Sequence, residues 1–312
     1  MEMRNLGASG LRVSAIGLGC NNFGARIDLA ATRAVIHEAV DAGITLFDTA
    51  DVYGERGGSE TAMGQVIDAS MRKRIVLATK FGLAMQDGGE HQGGSRAWIM
   101  RAVEDSLSRL KTDWIDLYQL HTPDPRTPIA ETLRALDDLV RAGKVRYVGV
   151  SNMPAWQVVE ANAIARQMGL TSFVSCQDEY SLLVRKAEAE LMPMMRAQGI
   201  GLLPYFPLAS GLLSGKYRRN APMPEGARLT KTQRLADRYL TETNWKRSEK
   251  LAEYAEAHGH TLLDLAFAWL LAKAPVASVI AGATKPEQIR QNVAAGGWVL
   301  DAAAVAEIEA IV

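Results

Sequence analysis

The sequence is short of everything that would tie it to a membrane, a nucleic acid or a metal. Its 312 residues contain only two cysteines, Cys20 and Cys176. They lie far apart with no metal-ligand spacing around either, which favours buried thiols in a reducing compartment over a disulfide. Charge of one sign is not in excess, since 35 Lys and Arg face 35 Asp and Glu. No global field therefore draws the chain to nucleic acid or to an anionic membrane. No apolar run reaches the ~18 residues of a membrane span, and the opening residues lack the apolar core of a signal peptide. No His/Cys/carboxylate cluster has ligand spacing, and no Gly-x-Ser-x-Gly elbow occurs. These absences leave a cytoplasmic globular protein that works on a small molecule, with no nucleic-acid, membrane or metal partner and with homo-oligomerisation left open.

What is present is a regular alternation. Short β-branched runs give way to amphipathic helices, and nearly half of the chain (48%) is hydrophobic, enough for a full core. Asp28 caps a helix that stops near Gly43, with Val35, Ile36, Ala39 and Val40 on one face. Ser95 opens a second helix. Thr127 reads as an N-cap with Pro128 at the first helical position, and Gly143 as the stop. Pro154 opens a helix that closes near Gly169, Thr261 starts another, and Thr284-Lys285-Pro286-Glu287 reads as a capping box. Between the helices lie eight strands, ending near Gly19, Asp48, Lys80, His121, Ser151, Gln177, Tyr205 and Gly282. Eight alternating units predict an α/β fold, a parallel (β/α)8 TIM barrel forming one domain over residues 1–312. The alternative is an open doubly wound sheet. Gly17-Leu18-Gly19-Cys20-Asn21-Asn22 argues against it, because the third glycine of the dinucleotide fingerprint is missing. Two segments break the rhythm. Residues 83–94 are glycine-rich and predict a mobile loop, and residues 206–244 far exceed the ~2–6 residues of an ordinary βα connection, so they read as a lid or binding loop.

In a barrel of this kind the active site lies at the C-terminal ends of the strands. Asp48, Tyr53, Lys80 and His121 fall at or just beyond three of those ends. A phenol is a poor acid at neutral pH, with a pKa near ~10, and a nearby ammonium favours its phenolate. Lys80 serves that purpose if Asp48 keeps it charged, and His121 can hydrogen-bond a substrate oxygen. The set suits protonating a carbonyl oxygen, yet none of its members is a hydride donor, so a cofactor is implied. Ser151, Asn152 and Gln177 offer groups for a carboxamide, and Tyr205 offers a face for a ring. Gly282-Ala283-Thr284 leads to a helix N-terminus suited to a phosphate, and Lys216, Arg228 and Lys285 add positive charge.

These pieces resemble the aldo-keto reductase family almost from end to end. The resemblance rests on Gly17-Leu18-Gly19, Asp48-Thr49-Ala50 to Tyr53-Gly54, Ser59-Glu60, Lys80 and Leu120-His121. It continues through Gly149-Val150-Ser151-Asn152, Gln177 with Glu179-Tyr180, Leu208-Ala209 to Gly211-Leu212-Leu213-Ser214-Gly215-Lys216, and Gly282-Ala283-Thr284 to Gln288 and Asn292. Ser214-Gly215-Lys216-Tyr217 resembles the bacterial and potassium-channel β-subunit-like branch. The resemblance implies NADPH bound in extended form, with NADH as the alternative. It makes Tyr53 the general acid, tuned by Lys80 and Asp48, and His121 the group that orients the carbonyl. It places Ser151, Asn152 and Gln177 on the carboxamide, Tyr205 under the nicotinamide, and Pro207, Leu208, Gly211 and Lys216 along the pyrophosphate. Thr284, Gln288, Gln291 and Asn292 surround the adenosine and Arg228 approaches the 2′-phosphate, while Gly19, Cys20, Asn21, Asp48, Phe206 and Gly282 complete the cofactor wall. Asn22, Phe81, Met85 and Thr122 are expected to shape the substrate pocket. Three departures stand out: Phe206 where the family often has serine, Gln288 where many members have an arginine for the 2′-phosphate, and Cys20-Asn21-Asn22 in place of a common Thr-Trp.

The function so implied is NADPH-dependent reduction of aldehydes or ketones. The same residues run in reverse as an NAD(P)-dependent alcohol or sugar dehydrogenase. A cofactor-binding regulatory subunit is the reading from another class, against which the complete acid–base set weighs. An aldolase or isomerase would need Lys80 free as a nucleophile.

Overall fold

A short antiparallel hairpin, β1 (Met3–Asn5) and β2 (Arg12–Ser14), opens the chain in the computed structural model, which describes residues 1–89 and 91–312. Its apolar side chains Leu6, Leu11 and Val13 are buried with Leu46, Ala78, Leu117, Leu203 and Ile280, which form the floor of a barrel. Gly7, at φ +60°, turns the hairpin so close to the barrel that a Cβ there would lie 2.3 Å from the Gly199 carbonyl oxygen. Strands of three residues are too short to show a period, and the hairpin was not expected from the sequence.

The barrel wall runs through β3 (Ile16–Gly19), β4 (Leu46–Asp48), β5 (Val76–Phe81), β6 (Ile115–Leu120), β7 (Val145–Ser151), β8 (Ser175–Glu179), β9 (Gly201–Tyr205) and β10 (Val279–Gly282). These eight strands are hydrogen-bonded in parallel in the order β10-β3-β4-β5-β6-β7-β8-β9. Leu202 closes the ring, its N–H donating to the Pro275 carbonyl at 2.9 Å while its own carbonyl accepts from Ala277 at 2.9 Å. The expected (β/α)8 barrel is the observed fold. Most strand ends fall within a residue or two of their expected positions, β5 extending to Phe81 and β8 to Glu179.

Side chains alternate along each strand, and the alternation decides what the site can contain. Leu46, Ala78, Leu117, Leu203 and Ile280 point inward, so the next inward positions are Asp48, Lys80, Gln119, Tyr205 and Gly282. The residues between them, such as Phe47, Leu77, Tyr118, Leu202 and Ala281, join the larger core between sheet and helices.

The helices that cover the wall are α1 (Leu29–Asp41), α2 (Tyr53–Val66), α3 (Ala69–Arg72), α4 (Arg96–Leu110), α5 (Ile129–Arg141), α6 (Ala155–Met168), α7 (Leu191–Gln198), α8 (Arg228–Lys231), α9 (Gln233–Tyr239), α10 (Glu242–Ala257), α11 (Leu262–Ala272), α12 (Pro286–Ala295) and α13 (Ala302–Ile311). Asp28, Ser95 and Thr261 cap as expected, Thr261 and Asp264 forming a reciprocal capping box. Two caps differ. Pro128 itself is the N-cap of α5, because the Thr127 hydroxyl turns back to donate to Asp124 at 2.8 Å. At α12 the Gln288 side chain, not Glu287, satisfies Thr284, accepting from its N–H at 2.7 Å and its hydroxyl at 3.1 Å.

Residues 206–244 are more ordered than a simple loop. They contain a 3₁₀ turn over Ala209–Ser214 and the helices α8 and α9. Glu179, at the end of β8, accepts hydrogen bonds from Arg238 and the Tyr239 hydroxyl, fastening α9 to the rim. Of the glycine-rich loop expected over residues 83–94, Glu90 lies outside the described residues. Among the described residues no helix is long and apolar enough to cross a membrane.

Candidate active site

Asp48 and Lys80 occupy adjacent inward positions of β4 and β5 at the rim. The Lys80 side chain is fully buried, and its Nζ donates to Asp48 Oδ2 at 2.6 Å and to the Thr49 carbonyl at 2.8 Å. Burial works against the ammonium, but Asp48 and then Tyr53 outweigh it and hold Lys80 above its ordinary value. Asp48 Oδ1 accepts from Gln177 at 2.9 Å and from Gln119 at 3.1 Å, so the carboxylate is fully engaged.

Tyr53 stands above this pair, with Lys80 Nζ 5.0 Å from the centroid of its ring. Burial pushes the phenol up from its ordinary value, and Lys80 pulls against that rise without cancelling it. The lysine therefore acts in the expected direction, but desolvation is the larger effect. Gly54, Glu55 and Arg56 follow with φ of +67°, +60° and +69°, a left-handed turn before α2 proper. Such backbone costs roughly 1–2 kcal/mol for each residue with a Cβ. Ser59 and Glu60 brace it from beneath: the Ser59 hydroxyl donates to the Cys20 carbonyl at 2.8 Å, and Glu60 accepts from Thr79 at 2.6 Å and from Arg109 at 2.8 Å.

His121 packs edge-on against Tyr53, ring centroids 5.7 Å apart. Its Nδ1 is buried without a partner among the described residues. Burial and then Lys80 press its pKa down to about 3, so the imidazole is neutral near pH 7 and can act as a hydrogen-bonding group rather than a charge. An acid, a neutral imidazole and a buried cation thus share one rim.

From this quartet a cleft of about 990 Å³ runs along the rim toward β10, at the upper end of the ~300–1,000 Å³ usual for ligand sites. Every residue expected in the cofactor wall lines it: Gly19, Cys20, Asn21, Asp48, Ser151, Asn152, Gln177, Tyr205, Phe206, Pro207, Leu208, Gly211, Lys216, Arg228, Gly282, Thr284, Gln288, Gln291 and Asn292. Gly282 keeps the cleft open at β10, where a Cβ would meet Asn22 Nδ2 at 3.1 Å and Asn21 Oδ1 at 3.4 Å.

The amide wall is less free than its composition implies. Ser151 donates to the Gln177 carbonyl at 2.7 Å and accepts from Asn152 at 3.0 Å. Asn152 also donates to the His121 carbonyl at 3.1 Å and accepts from the Tyr205 hydroxyl at 2.8 Å. Gln177 has committed its NH2 to Asp48, which leaves its Oε1 without a partner among the described residues. For a carboxamide, then, Gln177 Oε1 is the group at hand, whereas Ser151 and Asn152 are turned toward their neighbours.

Part of the cleft wall is cationic. Lys216 and Arg228 line it with Arg26, and no carboxylate pairs with any of the three among the described residues. Burial and then Arg26 and Arg228 hold Lys216 below its ordinary value, while burial and then Arg26 lower Arg228. Arg228 also lies over the Phe206 ring at 5.6 Å and donates to Asn22 Oδ1 at 3.1 Å. Unneutralised like charges in a partly buried cleft are the complement of a phosphate-bearing ligand. Among the described residues no cluster of His, Cys, Asp or Glu is arranged to hold a metal ion.

The residues expected to shape the substrate pocket are not all brought to the cleft. Phe81 follows the inward Lys80, so it points outward, fully buried and stacked on Tyr118 at 4.6 Å. Met85 and Thr122 do not line the cleft. Asn22 does, but β10 pairs beside β3, and Asn22 donates to the Ala283 carbonyl at 3.2 Å and accepts from Arg228. It therefore belongs with the cationic part of the wall. Sequence reasoning also missed Gln119, an amide at an inward position of β6, and Arg26, an unremarked charge in the loop before α1 that donates to the Gly226 carbonyl at 3.3 Å. Strand parity could have found the first. Nothing local marks the second.

Comparison with known proteins agrees with this geometry. Residues 15–312 match the sequence model of the Aldo/keto reductase family. The chain is 38% identical over 305 residues to an uncharacterized oxidoreductase, YrpG, of Bacillus subtilis (strain 168), covering 95% of this chain and 91% of that protein. It is 37% identical over 300 residues to a probable voltage-gated potassium channel subunit beta of Oryza sativa subsp. japonica, with 95% of this chain and 91% of that protein covered. A protein of Arabidopsis thaliana described in the same words is 37% identical over 301 residues, with the same coverage. A (β/α)8 barrel matched nearly end to end by the family's sequence model places the chain in the aldo/keto reductase family, as an NAD(P)H-dependent oxidoreductase.

Proposed function

We propose that the protein reduces an aldehyde or ketone with NADPH, Tyr53 giving the proton to the carbonyl oxygen. The observation that carries this reading is the buried Lys80–Asp48 pair beneath the Tyr53 phenol, in a cleft also lined by three cations without a carboxylate partner among the described residues. When bound, the reduced nicotinamide supplies the hydride. The protein's own part is positioning and proton transfer. His121, neutral at working pH, donates to the carbonyl oxygen and sets it beside the Tyr53 hydroxyl. As negative charge develops on that oxygen, Tyr53 releases its proton toward it, and the Lys80 ammonium stabilises the phenolate left behind. Asp48 keeps Lys80 charged through the cycle. Gln177 Oε1 accepts from the carboxamide and the Tyr205 ring supports the nicotinamide. Lys216, Arg228 and Arg26 hold the phosphates, with Thr284, Gln288, Gln291 and Asn292 around the adenosine. Preference for NADPH over NADH rests on the cations, since Gln288 brings no charge.

The same groups reversed make an alcohol or sugar dehydrogenase. A second reading, a cofactor-binding subunit of a larger assembly, is favoured by the two plant relatives described as channel subunits. Calorimetric titration with NADPH and NADH, followed by turnover on a panel of aldehydes, ketones and alcohols, separates these. Tight NADPH binding with carbonyl turnover is expected. Binding without turnover on any substrate would favour the subunit reading, and no binding of either nucleotide would refute both.

A further inference from the structure

One buried acid has no part in the chemistry described so far. Asp51 lies two residues before Tyr53, 1% exposed, and neither of its carboxyl oxygens has a hydrogen-bond partner among the described residues. Its backbone ties the Tyr53 turn to β5. The Asp51 N–H donates to the Lys80 carbonyl at 3.0 Å, while within the turn the Tyr53 N–H donates to the Ala50 carbonyl at 3.2 Å and the Arg56 N–H to the Val52 carbonyl at 3.1 Å. The charged and titratable groups around the side chain come from four elements: Glu60 on α2, Arg109 on α4, Lys80 on β5, and Tyr118 on β6, on which Asp105 of α4 also acts. Both cations are already engaged. Lys80 donates to Asp48 Oδ2 at 2.6 Å. Arg109 Nε and Nη2 each lie 2.8 Å from Glu60 Oε2, and Thr79 donates to Glu60 Oε1 at 2.6 Å. The Tyr118 hydroxyl is buried with no partner among the described residues.

Two cations thus face three carboxyls, and the third, Asp51, has neither a counter-charge nor a donor of its own. An ionised carboxylate so placed, beside the Glu60 charge, is costly. The uncharged acid avoids that cost and keeps an O–H to donate. Burial and then Glu60 push the Asp51 carboxyl well above the usual carboxylate range. We propose that Asp51 is a positioning residue that works as an uncharged acid, packed behind the Tyr53 turn and holding the phenol in register with Lys80. This rests on the functional reading above, in which Tyr53 is the proton donor. Ionisation of Asp51 would set a second negative charge against Glu60, on the helix into which the turn leads, and strain the turn where it is tied to Lys80.

Two variants test this. Asp51→Asn keeps the shape and cannot ionise, and Asp51→Ala empties the seat. Carbonyl turnover at saturating NADPH should fall about 10-fold or more in Asp51→Ala, the kind of loss that a small displacement of a reacting group brings. In Asp51→Asn it should return to within about 3-fold of wild type, with the NADPH dissociation constant held within about 2-fold in both variants. Urea unfolding gives a readout independent of catalysis. Asp51 ionises near pH ~3.9 in the unfolded chain and stays protonated in the native one. The folding constant of wild type relative to Asp51→Asn should therefore fall about tenfold per pH unit between about pH 5 and pH 7; His121 titrates alike in both proteins and cancels. The infrared carbonyl stretch of a protonated carboxyl should be present in wild type at pH 7 and missing from Asp51→Asn. Asp51→Asn as slow as Asp51→Ala would mean that a negative charge is needed, and a stability difference that does not move with pH would mean that the charge is there. Either result overturns the proposal, as does full activity in Asp51→Ala. Should Asp51→Ala not fold, the turnover and pH series of Asp51→Asn still decide. A wild type that reduces no carbonyl with either nucleotide defeats the functional reading and the positioning role with it, whereas the uncharged acid stands or falls on the pH series and the infrared band alone.

Discussion

Lys80→Met keeps the length and apolar stem of the lysine and removes its charge. The Nζ–Oδ2 separation of 2.6 Å corresponds to an attraction of about 6 kcal/mol at an effective dielectric near 20, before the cost of taking both charges out of water. Neither group is exposed, so that cost is large, and the pair as a whole adds little net stability. Removing one partner is different. It strands the Asp48 carboxylate, 3% exposed, with two neutral amide donors in place of a cation. Breaking a buried pair in this way costs roughly 3–5 kcal/mol. Asp48→Asn added to Lys80→Met removes the stranded charge, so the double variant should recover most of that loss while remaining inactive. Urea unfolding at pH 7 measures it: the midpoint should drop sharply in Lys80→Met and return most of the way in the double variant. A single variant as stable as wild type, or a double variant no better than the single, would refute the claim that Asp48 depends on Lys80 for its charge compensation.

Tyr53→Phe should retain NADPH affinity and lose carbonyl turnover by at least ~10²-fold, the lower range for a general acid; steady-state assays with saturating nucleotide check this. His121, held near a pKa of about 3 in the native state, binds its proton far more readily once unfolded, with an ordinary value near ~6.5. Native stability is therefore lost through this group as pH falls below ~6.5, and His121→Gln should gain on wild type by about 1.4 kcal/mol per pH unit from there down toward pH 4. Denaturation midpoints of both proteins across that window provide the measurement, and parallel curves would contradict the depressed value. Arg26→Ala should weaken NADPH about 10-fold or more and flatten the salt dependence of its binding, as expected when a cation facing phosphate is lost; an unchanged dissociation constant would remove Arg26 from the nucleotide site.

The strand ends carrying Asp48, Lys80, Ser151, Tyr205 and Gly282 are legible because each closes a short apolar run with a polar, aromatic or glycine residue, a local signal. The inside–outside assignment is legible too, residue by residue along each strand. An inward Lys80 turns Phe81 outward and an inward Leu117 brings Gln119 to the rim, and both follow from a period of two. Asn22 and Arg26 are another matter. Their places depend on β10 pairing beside β3 and on the turn at Gly226 folding over a loop about two hundred positions earlier, contacts without a sequence-local trace. The commitment of Asn152 to His121 and Tyr205 was hidden for the same reason. A polar residue at a strand end announces hydrogen bonding but not the partner, and here the partners sit on two other strands.

The hairpin that plugs the barrel with Leu6, Leu11 and Val13 has a kinetic consequence. With the bottom sealed, traffic to Lys80 has one doorway, and two molecules that must meet there form a queue. Whichever seats deeper has to arrive first and depart last, so the order of binding and release is a property of the sealed floor as much as of any side chain at the mouth.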